Sequence, residues 1–141
     1  MLKKTIEYVD FDGTKKKEEF YFNLTKAELT DIVLKVTGGN EDEIKKLSES
    51  KTTVIQNAET FKSFITKSYG KKTADGLFVK KTKDGYPLEY IFEASPAYDA
   101  LYMELIQDEK KASAFLEGIM PAEAKEVLKQ QQKAELEKVA S

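Results

Sequence analysis

Asp10-Phe11-Asp12-Gly13 places two carboxylates two residues apart ahead of a glycine, as at the start of a calcium-binding loop. An EF-hand loop needs alternating ligands, a glycine at its sixth position and a late glutamate. Here the glycine comes too early and both flanks read as strands, so the segment is predicted to be a hairpin turn with Gly at positive φ. Lys15-Lys16-Lys17, Lys71-Lys72 and Lys80-Lys81 are the groups that could hold a polyanion. Acids flank each of them (Glu18-Glu19, Asp75, Asp84), so they read as solvated surface, and lysines on a strand edge discourage unwanted pairing. Asn23-Leu24-Thr25 matches a glycosylation sequon, yet a strand end followed by a helix cap explains all three residues. Glu41/Glu43 and Glu117/Glu123 have no phosphate loop or nucleophile elbow beside them and read as helix-surface charge. Tyr86, Tyr90, Tyr98 and Tyr102 cluster around Phe92, mostly as half-buried core. Tyr98 and Tyr102 lie one helical turn apart on one face and are the better interface candidates. No catalytic, metal or cofactor constellation is predicted.

Composition narrows the chemistry further. The 141 residues contain no His, Cys, Trp or Arg. Without His the chain lacks the side chain that titrates near neutrality, and without Cys it lacks a thiolate or a tetrahedral zinc cluster. A net charge of -2 and the missing Arg forks weigh against nucleic-acid binding. Met1-Leu2-Lys3-Lys4 runs into Thr5-Ile6-Glu7 with no apolar stretch behind it, and no run is long enough to span a bilayer. The expectation from composition is a soluble cytoplasmic protein that leans away from enzymatic chemistry and binds neither nucleic acid nor membrane.

Periodicity then predicts the elements that carry these residues. Lys3 to Val9 alternates with Ile6 and Tyr8 on one face, and Lys15 to Phe22 returns with Phe20 and Phe22 on one face. Thr25 and Glu28 stand in capping-box spacing at the head of a helix from Lys26 to Thr37, which Gly38-Gly39 ends. Asn40 caps a short surface helix carrying Ile44 and Leu47. A longer helix is expected from Thr53 to Tyr69, with Val54, Ile55, Ala58, Phe61, Ile65 and Tyr69 inward, Phe64 beside them and Gly70 as its C-terminal cap. Lys71 to Gly85 reads as a loose polar connector in which Leu77-Phe78-Val79 is a short strand or a pinned loop. Helices then follow from Pro87, from Ser95-Pro96, from Asp108 and from Pro121. No repeat period is evident. The fold class is α+β, mainly α: an N-terminal β-hairpin over 3–22, then a bundle of about five to six helices. One domain is expected over 1–141, with a helical body over 25–120 and a sparse C-terminal helix over 121–141 that frays or docks on a partner.

Four segments taken together resemble the tail assembly chaperones of long-tailed phages and prophages of Gram-positive bacteria. They are Phe20–Leu29 (FYFNLTKAEL), Phe61–Gly70 (FKSFITKSYG), Ser95–Leu105 (SPAYDALYMEL) and Ala114–Pro121 (AFLEGIMP). The resemblance covers most of the chain to about Pro121, and none of the segments is a catalytic fingerprint. It implies a helical, non-enzymatic protein that coats the tape measure protein and recruits major tail tube subunits during tail morphogenesis. It also implies absence from the mature virion. A second partner is implied as well: a form of the same chain extended by a programmed frameshift, this chain being the short product and Gln130-Gln131-Gln132-Lys133 lying where a slip could occur. The predicted partner-binding residues are Tyr98, Tyr102, Phe115, Leu116 and Met120. The hairpin, with its free edges, is the second surface, for self-association into a homo-oligomer or for the tail tube protein. The alternative reading is a head–tail or tail adaptor retained in the virion.

Overall fold

A computed structural model describes residues 1–49 and 57–121. Strands β1 (Leu2–Val9) and β2 (Lys15–Phe22) form the expected hairpin, with Ile6 opposite Glu18 and Leu2 opposite Phe22. Its tip is built by Asp10, whose Oδ1 accepts from the N–H groups of Asp12 (3.0 Å) and Thr14 (2.8 Å) while Gly13 takes φ 80°. That carboxylate therefore organises backbone, and the turn's hydrogen bonds hold its pKa below the usual value of 3.8.

The sheet does not stop at the hairpin. Strands β3 (Tyr69–Lys72) and β4 (Phe78–Val79) extend it in the antiparallel order β1-β2-β3-β4. Tyr69 and Gly70 pair with Phe22 and Tyr21. This corrects two expectations about the long helix. It starts at Ala58, because Asn57 is extended and its Oδ1 accepts from the Thr60 N–H at 3.1 Å; Thr53 to Gln56, with Val54 and Ile55, lie outside the described residues. It ends at Ser68, because Tyr69 turns to φ -65°, ψ 139° and enters the sheet. Gly70 is then no helix cap. A Cβ there would sit 2.5 Å from the Phe78 ring and 2.8 Å from the Val79 carbonyl oxygen, so glycine is what lets β4 approach β3.

The expected loose connector is corrected too. Lys71-Lys72-Thr73-Ala74-Asp75-Gly76 and Lys80-Lys81-Thr82-Lys83-Asp84-Gly85 repeat at a spacing of nine residues, and each copy builds the same turn. In the first, Thr73 N–H donates to Leu77 O (2.7 Å), Gly76 N–H to Thr73 O (3.0 Å) and Leu77 N–H to Thr73 Oγ1 (3.0 Å). In the second, Thr82, Gly85 and Tyr86 make the same three bonds at 2.9, 2.9 and 3.1 Å. The hairpin tip at Asp10–Thr14 is a third copy with aspartate in place of threonine. Each is a three-residue hairpin loop closed by a left-handed glycine.

Among the described residues the helices are α1 (Lys26–Thr37), α2 (Glu41–Glu49), α3 (Ala58–Ser68), α4 (Leu88–Glu93), α5 (Pro96–Ile106) and α6 (Glu109–Ile119). Their starts follow the caps legible in the sequence. Thr25 and Glu28 complete a capping box at 3.1 and 3.0 Å, Ser95 Oγ accepts from Tyr98 N–H, and Asp108 accepts from Lys110 and Lys111 N–H. The expected helix from Pro121 onward, including Gln130–Lys133, lies outside the described residues. The buried side chains form one cluster between the sheet and the helices, with α5 packed on β1 and α4 on β3. Its centre is aromatic. Phe92 of α4 stacks on Tyr69 at 4.3 Å and meets Phe20, Phe22 and Tyr98 at 5.6 to 5.7 Å.

A candidate protein-interaction surface on helix α5

Ala97, Leu101 and Leu105 recur every four residues and turn one side of α5 into the core. The rest of the helix is nearly as apolar: Asp99 and Glu104 are its only charges. Tyr98 and Tyr102 lie on the flank, half-buried, with their rings 5.9 Å apart. Tyr98 also meets Phe92 at 5.7 Å, and Tyr102 meets Phe61 at 6.3 Å. On the outer side Met103 is 43% and Ile106 45% exposed. Glu104 fixes the helix by reaching Lys4 of β1 at 3.3 Å and Lys111 of α6 at 3.5 Å. The result is a helix with an aromatic flank and with Met103 and Ile106 exposed beside Asp99 on its outer side.

The five sequence-predicted contact residues are not equivalent in the fold. Tyr98, Tyr102 and Met120 are half-buried at the margin of the core, where part of each side chain reaches solvent. Phe115 and Leu116 are 3% and 1% exposed, and the Phe115 ring sits 5.1 Å from Phe22. They support the surface from beneath and cannot be touched by a partner while α6 is in place. Sequence periodicity shows that Phe115 and Leu116 lie on the apolar stripe of α6. A helix with a single stripe turns it to the core. Met103 and Ile106 escaped that reasoning, although α5 carried the signal: a helix with only Asp99 and Glu104 charged has more apolar surface than one core contact can cover.

Two phenols here are held protonated. The Glu18 carboxylate, 2.7 Å from the Tyr8 hydroxyl, and then burial push Tyr8 up to about 12 from its ordinary 10.0. Burial, with Tyr102 and Glu93 adding to it, pushes Tyr98 to about 12 as well. Because both pKa values rise on folding, the stability they contribute is complete below pH 10 and lost as pH climbs through 12. Ultraviolet titration of tyrosinate should accordingly show a late step near pH 12. Tyr98→Phe should remove one phenol from that step, and an unchanged late amplitude would refute the assignment.

Elsewhere, an open groove of about 350 Å³ lies between the hairpin tip and the α4–α5 junction, floored by Phe20, Tyr69 and Phe92. On its rim Lys16 pairs with Asp10 at 3.4 Å and the Tyr8 hydroxyl donates to Glu18, with Asp12 beside them. Among the described residues no group of acids could hold a metal ion, and no helix is long and apolar enough to cross a membrane.

The described residues thus form a four-stranded sheet led by an N-terminal hairpin and packed on capped helices, of which α5 leaves Met103 and Ile106 exposed. A family model described as phage tail assembly chaperone matches residues 1–141, and the chain belongs to that family. The family's role is that of a chaperone, not of a catalyst. No curated protein and no solved structure matched the chain.

Proposed function

We propose that this chain coats the tape measure protein while it awaits packaging and recruits major tail tube subunits to it as the tube grows. It acts in the host cytoplasm beside a frameshift-extended form of itself, folds as one domain, and leaves before the virion is complete. The observation that carries this reading is the family match over the whole chain. The outer side of α5 supports it. A tape measure protein is a long helical chain with exposed apolar surface, and coating it takes many adaptable contacts of moderate strength. Met103, Ile106 and the flanking Tyr98 and Tyr102 are suited to that, with Met120 beside them and Phe115 and Leu116 beneath.

Co-expression with the tape measure protein followed by pull-down tests the assignment. Met103→Asp and Ile106→Asp, at exposed positions, should melt close to the wild type and lose most of the retained tape measure protein. Phe115→Asp is no fair test, because it places a carboxylate in the core. If the two folded variants retain the tape measure protein as the wild type does, α5 is the wrong surface.

A further inference from the structure

Strand β1 is an edge. Among the described residues its one strand neighbour is β2. The tip bond from Asp10 N–H to Thr14 O and the register Tyr8 with Lys16, Ile6 with Glu18 and Lys4 with Phe20 set the parity of the ladder. Even-numbered residues bond inward to β2, and the N–H and C=O groups of Lys3, Thr5, Glu7 and Val9 point outward. The side chains of those four residues are exposed. They form an eight-residue edge with nothing along it to block pairing: no proline, no glycine, no bulge.

The order of residues along this edge is self-complementary. We infer that β1 pairs antiparallel with β1 of a second copy about a two-fold axis through Thr5, joining two four-stranded sheets into one. In that register Thr5 faces the partner's Thr5, Lys3 faces the partner's Glu7, and Val9 faces the partner's Met1. Symmetry repeats the last two pairs. Outward-bonding residues meet outward-bonding residues, as an antiparallel ladder requires. Met1 and Val9, 58% and 53% exposed in the single chain, cover each other.

The charges extend a pattern already within each hairpin. Lys3 pairs with Glu19 at 3.1 Å and Glu7 with Lys17 at 3.6 Å across β1 and β2. Across the joined edge the sequence becomes Glu19, Lys3, the partner's Glu7, the partner's Lys17, alternating in sign over four strands. A slip of two residues sets Lys3 against the partner's Thr5 or Val9 and loses this match, so the charges select one register.

Sedimentation of the full chain across a concentration series tests the inference with two charge reversals. Lys3→Glu sets a carboxylate against the partner's Glu7, and Glu7→Lys sets an ammonium against the partner's Lys3. Each variant alone should dimerise roughly tenfold or more weakly than the wild type, since like charges replace opposite ones at two symmetric pairs. An equimolar mixture of the two should recover dimer, because every facing pair is again opposite in sign. Thr5→Pro removes an outward N–H without touching the β2 ladder and should leave a monomer with near wild-type helicity. A wild type that stays monomeric into the millimolar range overturns the inference. So does a dimer that survives both single reversals and Thr5→Pro, which would place the contact elsewhere, or a mixture that fails to recover it.

Discussion

Phe92→Ala is expected to cost about 3–5 kcal/mol, among the largest effects of a single truncation at the described residues. Phe92 sits on a helix of six residues, too short to hold its own position, and the ring is what fastens that helix to the sheet. It is 2% exposed, stacked on Tyr69, and edge-on to Phe20, Phe22 and Tyr98. Removing it deletes the buried area, the ring contacts and the support of four neighbours together, and the cavity left is walled by rings that cannot easily collapse into it. Domains of this size are stable by about 5–15 kcal/mol, so the variant should be largely unfolded or melt far below the wild type. Tyr90→Ala, two residues away with its side chain 54% exposed, is the control and should fall within about 0.5 kcal/mol of the wild type. Denaturant unfolding measures both. A Phe92→Ala loss no larger than the control's would contradict an aromatic centre of stability.

The second large effect is expected at Lys80. Its Nζ donates to Asn23 O at 2.7 Å and Lys67 O at 2.5 Å, and pairs with Glu28 at 3.1 Å. All three ammonium protons are therefore engaged, and three separated elements are tied at one point: the end of β2, the last turn of α3 and the first turn of α1. Asn23 and Leu24 are bound there from the other side as well, Asn23 N–H to Ser68 O at 2.7 Å and Leu24 N–H to Ile119 O at 2.9 Å. Burial pushes the Lys80 pKa below its usual 10.5, against Glu28, which holds it up. The charge thus carries a desolvation cost at neutral pH, and its linkage favours folding more as pH rises toward the unfolded value. Lys80→Met keeps much of the aliphatic length, takes the ammonium from over the Phe78 ring, and leaves the Asn23 and Lys67 carbonyls without this donor while Glu28 keeps the Thr25 N–H. A loss of about 2–3 kcal/mol is expected. A neutral result would mean that desolvation cancels the three contacts.

Much of this fold was legible because its signals are local. The capping box at Thr25 and Glu28, the caps at Asn40, Ser95 and Asp108, and the turn at Asp10–Gly13 each need only a few neighbouring residues. Strand β3 was not legible in the same way, and for β4 the sequence left strand and pinned loop open at Leu77-Phe78-Val79. Four residues and two residues are too few to show a period of two, and Tyr69-Gly70 continues the stripe of a real helix. What makes β3 a strand is pairing with Tyr21 and Phe22, far earlier in the chain, a tertiary cause that no local window contains, and β4 then pairs with Lys71 and Lys72 of β3. The nine-residue repeat was present in the sequence and is short enough to pass as a polar connector. At the surface, periodicity placed Phe115 and Tyr102 equally on apolar faces. Which face looks inward is decided by packing, and the core took Phe115 and Leu116 and left Met103 and Ile106 outside.

The central claim is that this chain serves tail assembly and then departs. Quantitative mass spectrometry of tail intermediates from the lysate and of purified virions from the same infection tests it directly. The tape measure protein should be present in both fractions and this chain only in the intermediates. Recovery of the chain from virions in a fixed ratio to the tail tube protein would contradict the account and make it a structural component of the tail.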